Sequence, residues 1–233
     1  MIMNCNQNGD TKLMKRVSKQ ELLRAALNGL SVAERKFSSL TANTSFLNRA
    51  PEYLLTVNVA EKLGQSAPNH LTWLEFQLSQ ARSATRGFQP GLLRRNAQIR
   101  RGYGRGDGRC DILMCWAASQ EPRAAFEIKR DVQSLGKIRK DVERILHLMN
   151  GGMDGNTLQF GAVLFNTMAE SMHGQKVIRD RIAHFRDQLS GWRTELCGPN
   201  RRLNIISGSI KKRRAGDHWA PLALVAERIQ PYK

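Results

Sequence analysis

Three polar residues in one short stretch of the sequence could act together in chemistry. Asp111 stands at the start of an apolar run, and Glu127 and Lys129 end a second apolar run beyond a polar turn that contains proline. The separation of 16 positions between the two acids suits adjacent antiparallel strands. Because side chains on a strand repeat their direction every second residue, Lys129 returns to the face of Glu127. We therefore expect the three side chains to meet at one edge of a sheet.

Two carboxylates beside an amine are suited to metal-assisted hydrolysis. Asp111 and Glu127 offer the oxygen ligands that Mg²⁺ or Mn²⁺ prefers. A metal lowers the pKa of its bound water and screens the charge that develops on an attacked phosphodiester. The Lys129 ammonium can orient that water or contact the phosphate. The alternative is that Asp111 is a turn residue and that Glu127 and Lys129 form a solvated strand end, which the apolar AAF before Glu127 makes a poor fit.

The surrounding segments predict the elements that would position these side chains. Some carry apolar residues at helical spacing, and others are apolar runs of strand length. Their alternation predicts an α/β (α+β) fold, with a central mixed β-sheet flanked by helices. For residues 71–78 a helix is the competing prediction. The predicted elements are a helix over 51–63, strands over 71–78, 110–116 and 123–130, a helix over 134–149, a strand over 158–166, a helix over 175–192 and closing strands over 202–210 and 220–229.

The first 48 residues predict a helical extension ahead of a main domain over 49–233. Residues 1–17 look like a loose leader. Ser18 followed three residues later by Glu21 forms a capping-box pattern, which predicts a helix that Gly29 ends. The same pattern predicts a second helix from Ser31.

The order of these elements around the acidic motif resembles a known nuclease superfamily. An aspartate opening one strand, E-x-K ending the next, and then a helix and a strand are similar to PD-(D/E)xK nucleases, whose restriction-endonuclease-like core has the order α-β-β-β-α-β. The resemblance covers roughly the middle half of the chain. It implies that Asp111 and Glu127 are metal ligands and that Lys129 is the catalytic lysine. Cys110 departs from the proline of the family name.

Many members of that superfamily add a glutamate from the first core helix to the metal site. Glu52 is the candidate for this role here, as a catalytic residue and a metal ligand, and Glu61 is the reserve. Glu75 is a third choice if the preceding element is misplaced. At the first turn of a helix, Glu52 also has the simpler explanation that a carboxylate is favoured there by the helix dipole.

The charge of the chain indicates a polyanionic partner. Lysine and arginine number 37 against 20 acidic residues, a net charge of +17, which favours nucleic acid. A glycine- and arginine-rich segment over 82–109 can bring guanidinium groups close to phosphates. The residues predicted to bind nucleic acid are Arg94, Arg95, Arg100, Arg101, Arg105, Arg109, Lys140, Arg144, Lys211, Lys212, Arg213 and Arg214.

Composition also bears on the compartment. The four cysteines form no C-x-x-C pair, which argues against zinc or disulfide frameworks and favours a reducing cytoplasm. The sequence has no run of about 18 apolar residues, the length that a membrane-spanning helix needs. The polar N-terminus does not resemble a signal peptide. We therefore expect a cytoplasmic protein that does not span a membrane.

Together these features predict a metal-dependent DNA endonuclease that hydrolyses phosphodiester bonds in defence against foreign DNA or in repair. The sequence does not separate DNA from RNA. The alternative is a non-catalytic nucleic-acid-binding protein with a nuclease-like fold, and a weaker third is a module that binds an acidic protein. Double-strand cleavage often uses two active sites, which is compatible with a homodimer.

Overall fold

A seven-stranded mixed sheet runs through the middle of the protein in the computed structural model, which describes residues 17–42, 49–77, 109–149, 158–213 and 216–229. The spatial order is β1-β2-β3-β4-β7-β5, and β6 also pairs with β7. Only β3 and β4 are parallel among the neighbouring strands of these residues. The strands are β1 His70–Gln77, β2 Arg109–Trp116, β3 Pro122–Lys129, β4 Phe160–Ala169, β5 Arg201–Ser207, β6 Lys211–Lys212 and β7 His218–Arg228.

Helices cover both faces of this sheet. α1 and α2 share one hydrophobic core with it, and α3 and α4 share a second core on the other side. A parallel pair of strands needs a crossover connection, and α3 supplies it between β3 and β4. The helices of the described residues are α1 Lys19–Leu40, α2 Glu52–Ser66, α3 Arg139–Met149 and α4 Gly174–Leu196, and a 3₁₀ turn over Leu135–Ile138 leads into α3.

Burial on both faces explains the continuous apolar runs in the sequence. Along β2, Ile112 and Met114 pack in the core of α1 and α2, whereas Leu113 and Cys115 pack in the core of α3 and α4. Side chains of a strand alternate between faces, so a strand covered on both sides must be apolar at almost every position. A charged residue inside such a strand is therefore exceptional.

The predicted α/β class and the order α-β-β-β-α-β are confirmed by the elements from α2 to β4. β1 is a strand, so the competing helix is wrong. The first closing strand ends earlier than predicted, at Ser207, and the basic residues Lys211 and Lys212 form the short strand β6 on β7. No helix of the described residues has the length and apolar character needed to cross a membrane.

The predicted pair of N-terminal helices is wrong, because α1 continues without a break through Gly29 and Ser31. The capping box at Ser18 is present, with its hydroxyl oxygen 3.2 Å from the Glu21 backbone nitrogen. Ser31 does not begin a new helix, since its hydroxyl donates to the Leu27 carbonyl one turn earlier. The division of the chain at residue 48 stays a prediction, although α1 shares its core with α2 and the sheet.

Gly29 serves the packing of two helices. A Cβ atom added at this position would lie 2.5 Å from the Val59 Cα of α2 and 2.9 Å from the Asn58 carbonyl oxygen. Glycine thus lets the two helix backbones approach closely, and this requirement outweighs its low helix propensity.

Replacing Gly29 by alanine should destabilise the protein, because the new methyl group would meet the backbone of α2. We expect the free energy of unfolding to fall by roughly 1–3 kcal/mol, measured by chemical denaturation. The matched control is Gly64→Ala in α2, where an added Cβ meets nothing within 4 Å. That variant should be neutral or gain up to about 1 kcal/mol. Equal stability of the two variants would contradict this account of Gly29.

Candidate active site

The two acids of the motif face each other across neighbouring strands. Ile112 of β2 pairs with Phe126 of β3 in an antiparallel register. One position farther along this register, Asp111 and Glu127 lie opposite each other. The Asp111 Oδ2 atom accepts a hydrogen bond of 2.6 Å from the Ile128 backbone N–H, which fixes this carboxylate against β3. The predicted meeting of the two strands is thus confirmed in geometry.

Lys129 ends β3 between the beginnings of two helices. Its Nζ atom lies 3.2 Å from Oε1 of Glu52, the first residue of α2. The same atom lies 3.9 Å from Oδ1 of Asp141, in the first turn of α3. Carboxylates are favoured in the first turn by the helix dipole, so both helices present acids to the end of β3. The structure therefore brings Glu52 together with the motif lysine.

Glu127 is paired with an arginine from α3. The residue is only 1% exposed, and its Oε1 atom accepts a hydrogen bond of 3.0 Å from the NH1 group of Arg144. The same NH1 group lies 3.4 Å from Asp141 Oδ1, one helical turn earlier. The structure places Arg144 against the buried glutamate, and its predicted contact with nucleic acid stays a prediction.

Asp141 is the residue of this site that the sequence prediction missed. It is buried and lies within ion-pair distance of both Lys129 and Arg144. A usable signal was present: an acid and an arginine three positions apart occupy one helix face, and this helix directly follows the E-x-K strand. Without the tertiary structure, however, the pair also reads as a solvated surface pair.

Six residues form what we call the carboxylate site, and acids predominate among them. With every group in its usual ionised form, four carboxylates and two cationic side chains give the site a formal net charge of −2, a deficit of two positive charges. The rest of the protein is strongly basic, so this deficit is local. The members of the site are Asp111, Glu127, Asp141, Glu52, Lys129 and Arg144.

Burial raises the pKa of three acids of the site, Asp111, Glu127 and Asp141. Burial, followed by repulsion from Asp111, raises the pKa of Glu127 to about 8 even though Arg144 opposes the shift. Burial also raises the pKa of Asp111, against the hydrogen bond from Ile128, and that of Asp141. Burial alone would lower the pKa of Lys129, but Asp141 and Glu52 outweigh it and raise that pKa. The amine is therefore held in its protonated form.

The carboxylate site offers oxygen ligands of the kind that a hard divalent cation prefers. Across the part of the chain that the structure describes, no group of three or more His, Cys, Asp or Glu residues is arranged to hold a metal ion. Mg²⁺, however, is commonly bound by one or two carboxylates and keeps several of its waters. Asp111 and Glu127 supply two such groups, and the charge deficit with raised carboxyl pKa values favours added positive charge.

The other two glutamates considered for the site occupy different places. Glu61 lies roughly 13 Å farther along the α2 axis than Glu52. It is exposed and pairs with Lys36 of α1 at 3.4 Å. Glu75 of β1 lies in the left-handed backbone region, with φ 51°, and its charge contributes to the raised pKa of Asp111. Of the three, Glu52 contacts the motif lysine, whereas Glu75 borders the site from the edge strand.

Many of the residues predicted to bind nucleic acid lie outside the described residues. Arg109, at the start of β2, is within the structure and lies 3.9 Å from Glu75 through its NH1 atom. The predicted role of the glycine- and arginine-rich segment therefore stays a prediction. The residues outside the description are Arg94, Arg95, Arg100, Arg101, Arg105 and Arg214.

The remaining basic candidates differ in how far they reach solvent. Arg213 is held inward, with its Nε atom 3.1 Å from Glu34 Oε1 and its NH2 atom 2.8 Å from the Ser38 hydroxyl of α1. Lys211 lies over the Trp219 ring, 5.1 Å from its centroid. Lys140 and Lys212 are exposed. Exposed lysines are suited to contact a polyanion, whereas Arg213 joins the β6 region to α1.

A cleft of about 330 Å³ opens beyond the ends of β3 and β4. Asp131, two residues after Lys129, is part of its wall. None of the six residues of the carboxylate site is part of the lining of this cleft. Its lining comprises Asp131, Gln133, Met168, Ala169, Glu170, Ser171, Val177 and Arg181.

Comparisons of the chain with family models, with curated proteins and with solved structures find no match. The resemblance to PD-(D/E)xK nucleases therefore stays a prediction. It rests on the motif, on the order of the elements and on the geometry of the carboxylate site.

The raised pKa of Glu127 predicts how stability depends on pH. Folded Glu127 keeps its proton up to about pH 8, whereas the unfolded glutamate loses it near pH 4.5. Between these values the folded state binds more protons, so this residue makes the free energy of unfolding fall as the pH rises. Glu127→Gln removes this contribution. We therefore expect wild type to lose stability relative to this variant between pH 5 and pH 8, in unfolding titrations with EDTA.

The control for this measurement is Glu143→Gln, which changes an exposed glutamate on the solvent side of α3. Its stability should follow that of wild type at every pH. A constant difference between wild type and Glu127→Gln across the range would contradict the raised pKa.

Proposed function

We propose that the protein is a metal-dependent endonuclease that hydrolyses phosphodiester bonds in DNA, with the carboxylate site as its reacting centre. One observation carries the proposal. The aspartate of β2, the E-x-K residues of β3 and the first glutamate of α2 come together at one end of the sheet, as the resemblance implies. This arrangement leaves a local deficit of positive charge in a protein of net charge +17.

In this proposal the groups of the site have distinct roles. Asp111 and Glu127 would hold Mg²⁺ or Mn²⁺, which supplies activation of water and screening of charge on the phosphodiester. Lys129 is protonated and can donate hydrogen bonds to a phosphate oxygen as negative charge develops there. Glu52 and Asp141 hold the amine from two sides. Because Glu52 contacts Lys129, it positions the amine, and its role as a metal ligand stays a prediction.

The character of the substrate and the cellular setting follow from charge and cysteine chemistry. A strongly basic protein attracts a polyanion, and exposed Lys140 and Lys212 offer contacts to phosphates. The choice of DNA rests on the resemblance, as do roles in defence or repair and the expectation of a homodimer. Cys110, Cys115 and Cys197 are free thiols, in keeping with a reducing cytoplasm.

Substitutions in the carboxylate site should slow cleavage, because they remove a cation ligand, the amine or a group that holds the amine. Asp111→Asn and Lys129→Met should each slow nicking of plasmid DNA in Mg²⁺ or Mn²⁺ by at least roughly 100-fold. Glu52→Gln weakens the hold on Lys129 and should cost roughly 10- to 100-fold. The measurement is the initial rate of plasmid nicking on gels, with folding checked by circular dichroism.

Glu61→Gln is the matched control, since it changes a glutamate on the same helix to the same amide. It should cut within about twofold of wild type. Equal loss in Glu52→Gln and Glu61→Gln would remove the case for Glu52. DNA binding that is salt-sensitive, with no cleavage by wild type in either metal, would replace the proposed nuclease by a non-catalytic nucleic-acid-binding protein.

A pair of adjacent substitutions can separate binding from folding in the basic region after β5. Lys212→Ala should weaken DNA binding and reduce the slope of log affinity against log salt by about 1, because it removes one exposed cation. Arg213→Met should instead lower the free energy of unfolding by roughly 3–5 kcal/mol, since it removes the cation that pairs with buried Glu34. The measurements are fluorescence anisotropy at several salt concentrations and chemical denaturation. An unchanged salt slope in Lys212→Ala would exclude that lysine from the interface.

A further inference from the structure

Arg144 pairs with Glu127, the most buried acid of the carboxylate site. Its guanidinium contacts Glu127 Oε1 at 3.0 Å, and its side chain is 33% exposed while that of Glu127 is 1% exposed. The arginine is therefore the more exposed partner of this pair, and it occupies one of the two carboxylate oxygens of Glu127.

A divalent cation and this guanidinium would oppose each other at Glu127. Both are positively charged and both need the same carboxylate, so each weakens the binding of the other. The arginine contact also lowers the cost of ionising the buried Glu127 in the cation-free protein. Removing it would leave Glu127 with a larger cost of ionisation in the interior.

Asp141 gives Arg144 a second partner within the same helix. The NH1 group already lies 3.4 Å from Asp141 Oδ1, three positions earlier on α3. Asp141 would therefore remain as a carboxylate partner for Arg144 if its contact with Glu127 were lost. A guanidinium presents five N–H donors in a planar fork that matches phosphate oxygens, so its remaining donors suit a phosphodiester.

We propose that Arg144 and the divalent cation exclude one another at Glu127, and that the guanidinium released by the cation binds the phosphodiester. This inference rests on the proposed function. It makes Arg144 a substrate-contacting residue of the reaction, and it couples cation binding to DNA binding through one side chain. Cation and DNA then assist each other, because each favours the position of Arg144 that the other needs.

The first test measures cation binding alone, from the electron paramagnetic resonance signal of free Mn²⁺ during titration of the full chain. Arg144→Met should bind Mn²⁺ roughly tenfold or more tightly than wild type, because the competing charge is gone. Arg144→Lys retains the charge and should stay near wild type. The matched control is Arg139→Met on the same helix, which pairs with Glu143 and Glu195 and should also stay near wild type.

A merely structural arginine would give a different result. If Arg144→Met bound Mn²⁺ as wild type does, or more weakly, the exclusion at Glu127 would be wrong. Asp111→Asn locates the binding event, since it should remove the Mn²⁺ site.

The second test measures DNA affinity by fluorescence anisotropy in a Lys129→Met background, which prevents cleavage under the proposed function. In EDTA the further change Arg144→Met should alter affinity by no more than about twofold, because the arginine is held by Glu127. In Mn²⁺ the same change should weaken DNA binding roughly tenfold. Equal effects in the two conditions would overturn the release of Arg144 to the phosphodiester.

The outcomes separate this inference from the proposed function. If wild type and Asp111→Asn both fail to bind Mn²⁺ and wild type cuts no DNA, the proposed function fails and the inference with it. If wild type binds Mn²⁺ at Asp111 and cuts DNA, while Arg144→Met shows no gain in cation affinity, only the inference fails.

Discussion

The burial of one carboxylate, Glu127, is the constraint on which the candidate site depends. Helices cover both faces of the sheet, so β3 is apolar on either side, and an acid inside it loses most of its hydration. Ionisation there requires positive charge nearby. Arg144 supplies one such charge at 3.0 Å, yet the pKa of Glu127 stays near 8 because burial and Asp111 oppose ionisation. The chemistry proposed for the site uses this remaining demand for a cation.

The topology places the compensating charges where Glu127 needs them. β3 and β4 are parallel, so α3 must cross between them, and its first turn comes near the end of β3. Gly161 of β4 helps α3 to lie close, since a Cβ added there would collide with Ile145. Arg144 precedes that isoleucine and reaches the buried glutamate from the same helix. The ion pairs of the site thus depend on close packing between a helix and the sheet.

The sequence could predict the elements but only part of the site. Apolar runs of strand length are visible in the sequence, so Asp111, Glu127 and Lys129 could be placed at the ends of β2 and β3 from those runs and the turn between them. The role of Gly29 could not be predicted, because a glycine that ends a helix and one that admits a neighbouring helix look alike in sequence. Asp141 and Arg144 likewise resembled a surface pair. The sequence ranked Glu52 before Glu61 and Glu75, but which of them approaches Lys129 depends on the direction of α2 relative to β3.

The net charge predicts a polyanionic partner, but it does not predict which basic residues would contact that partner. In the described residues several arginines are engaged by acids: Arg144 by Glu127, Arg213 by Glu34 and Arg109, more loosely, by Glu75. Pairing of this kind supports the fold. It also makes the paired arginines less accessible for direct contact with a polyanion. Exposed lysines such as Lys140 and Lys212 retain that charge, because burial does not hold them against an acid. Position in the packed structure, more than residue type, therefore decides whether a basic residue binds a partner or supports the fold.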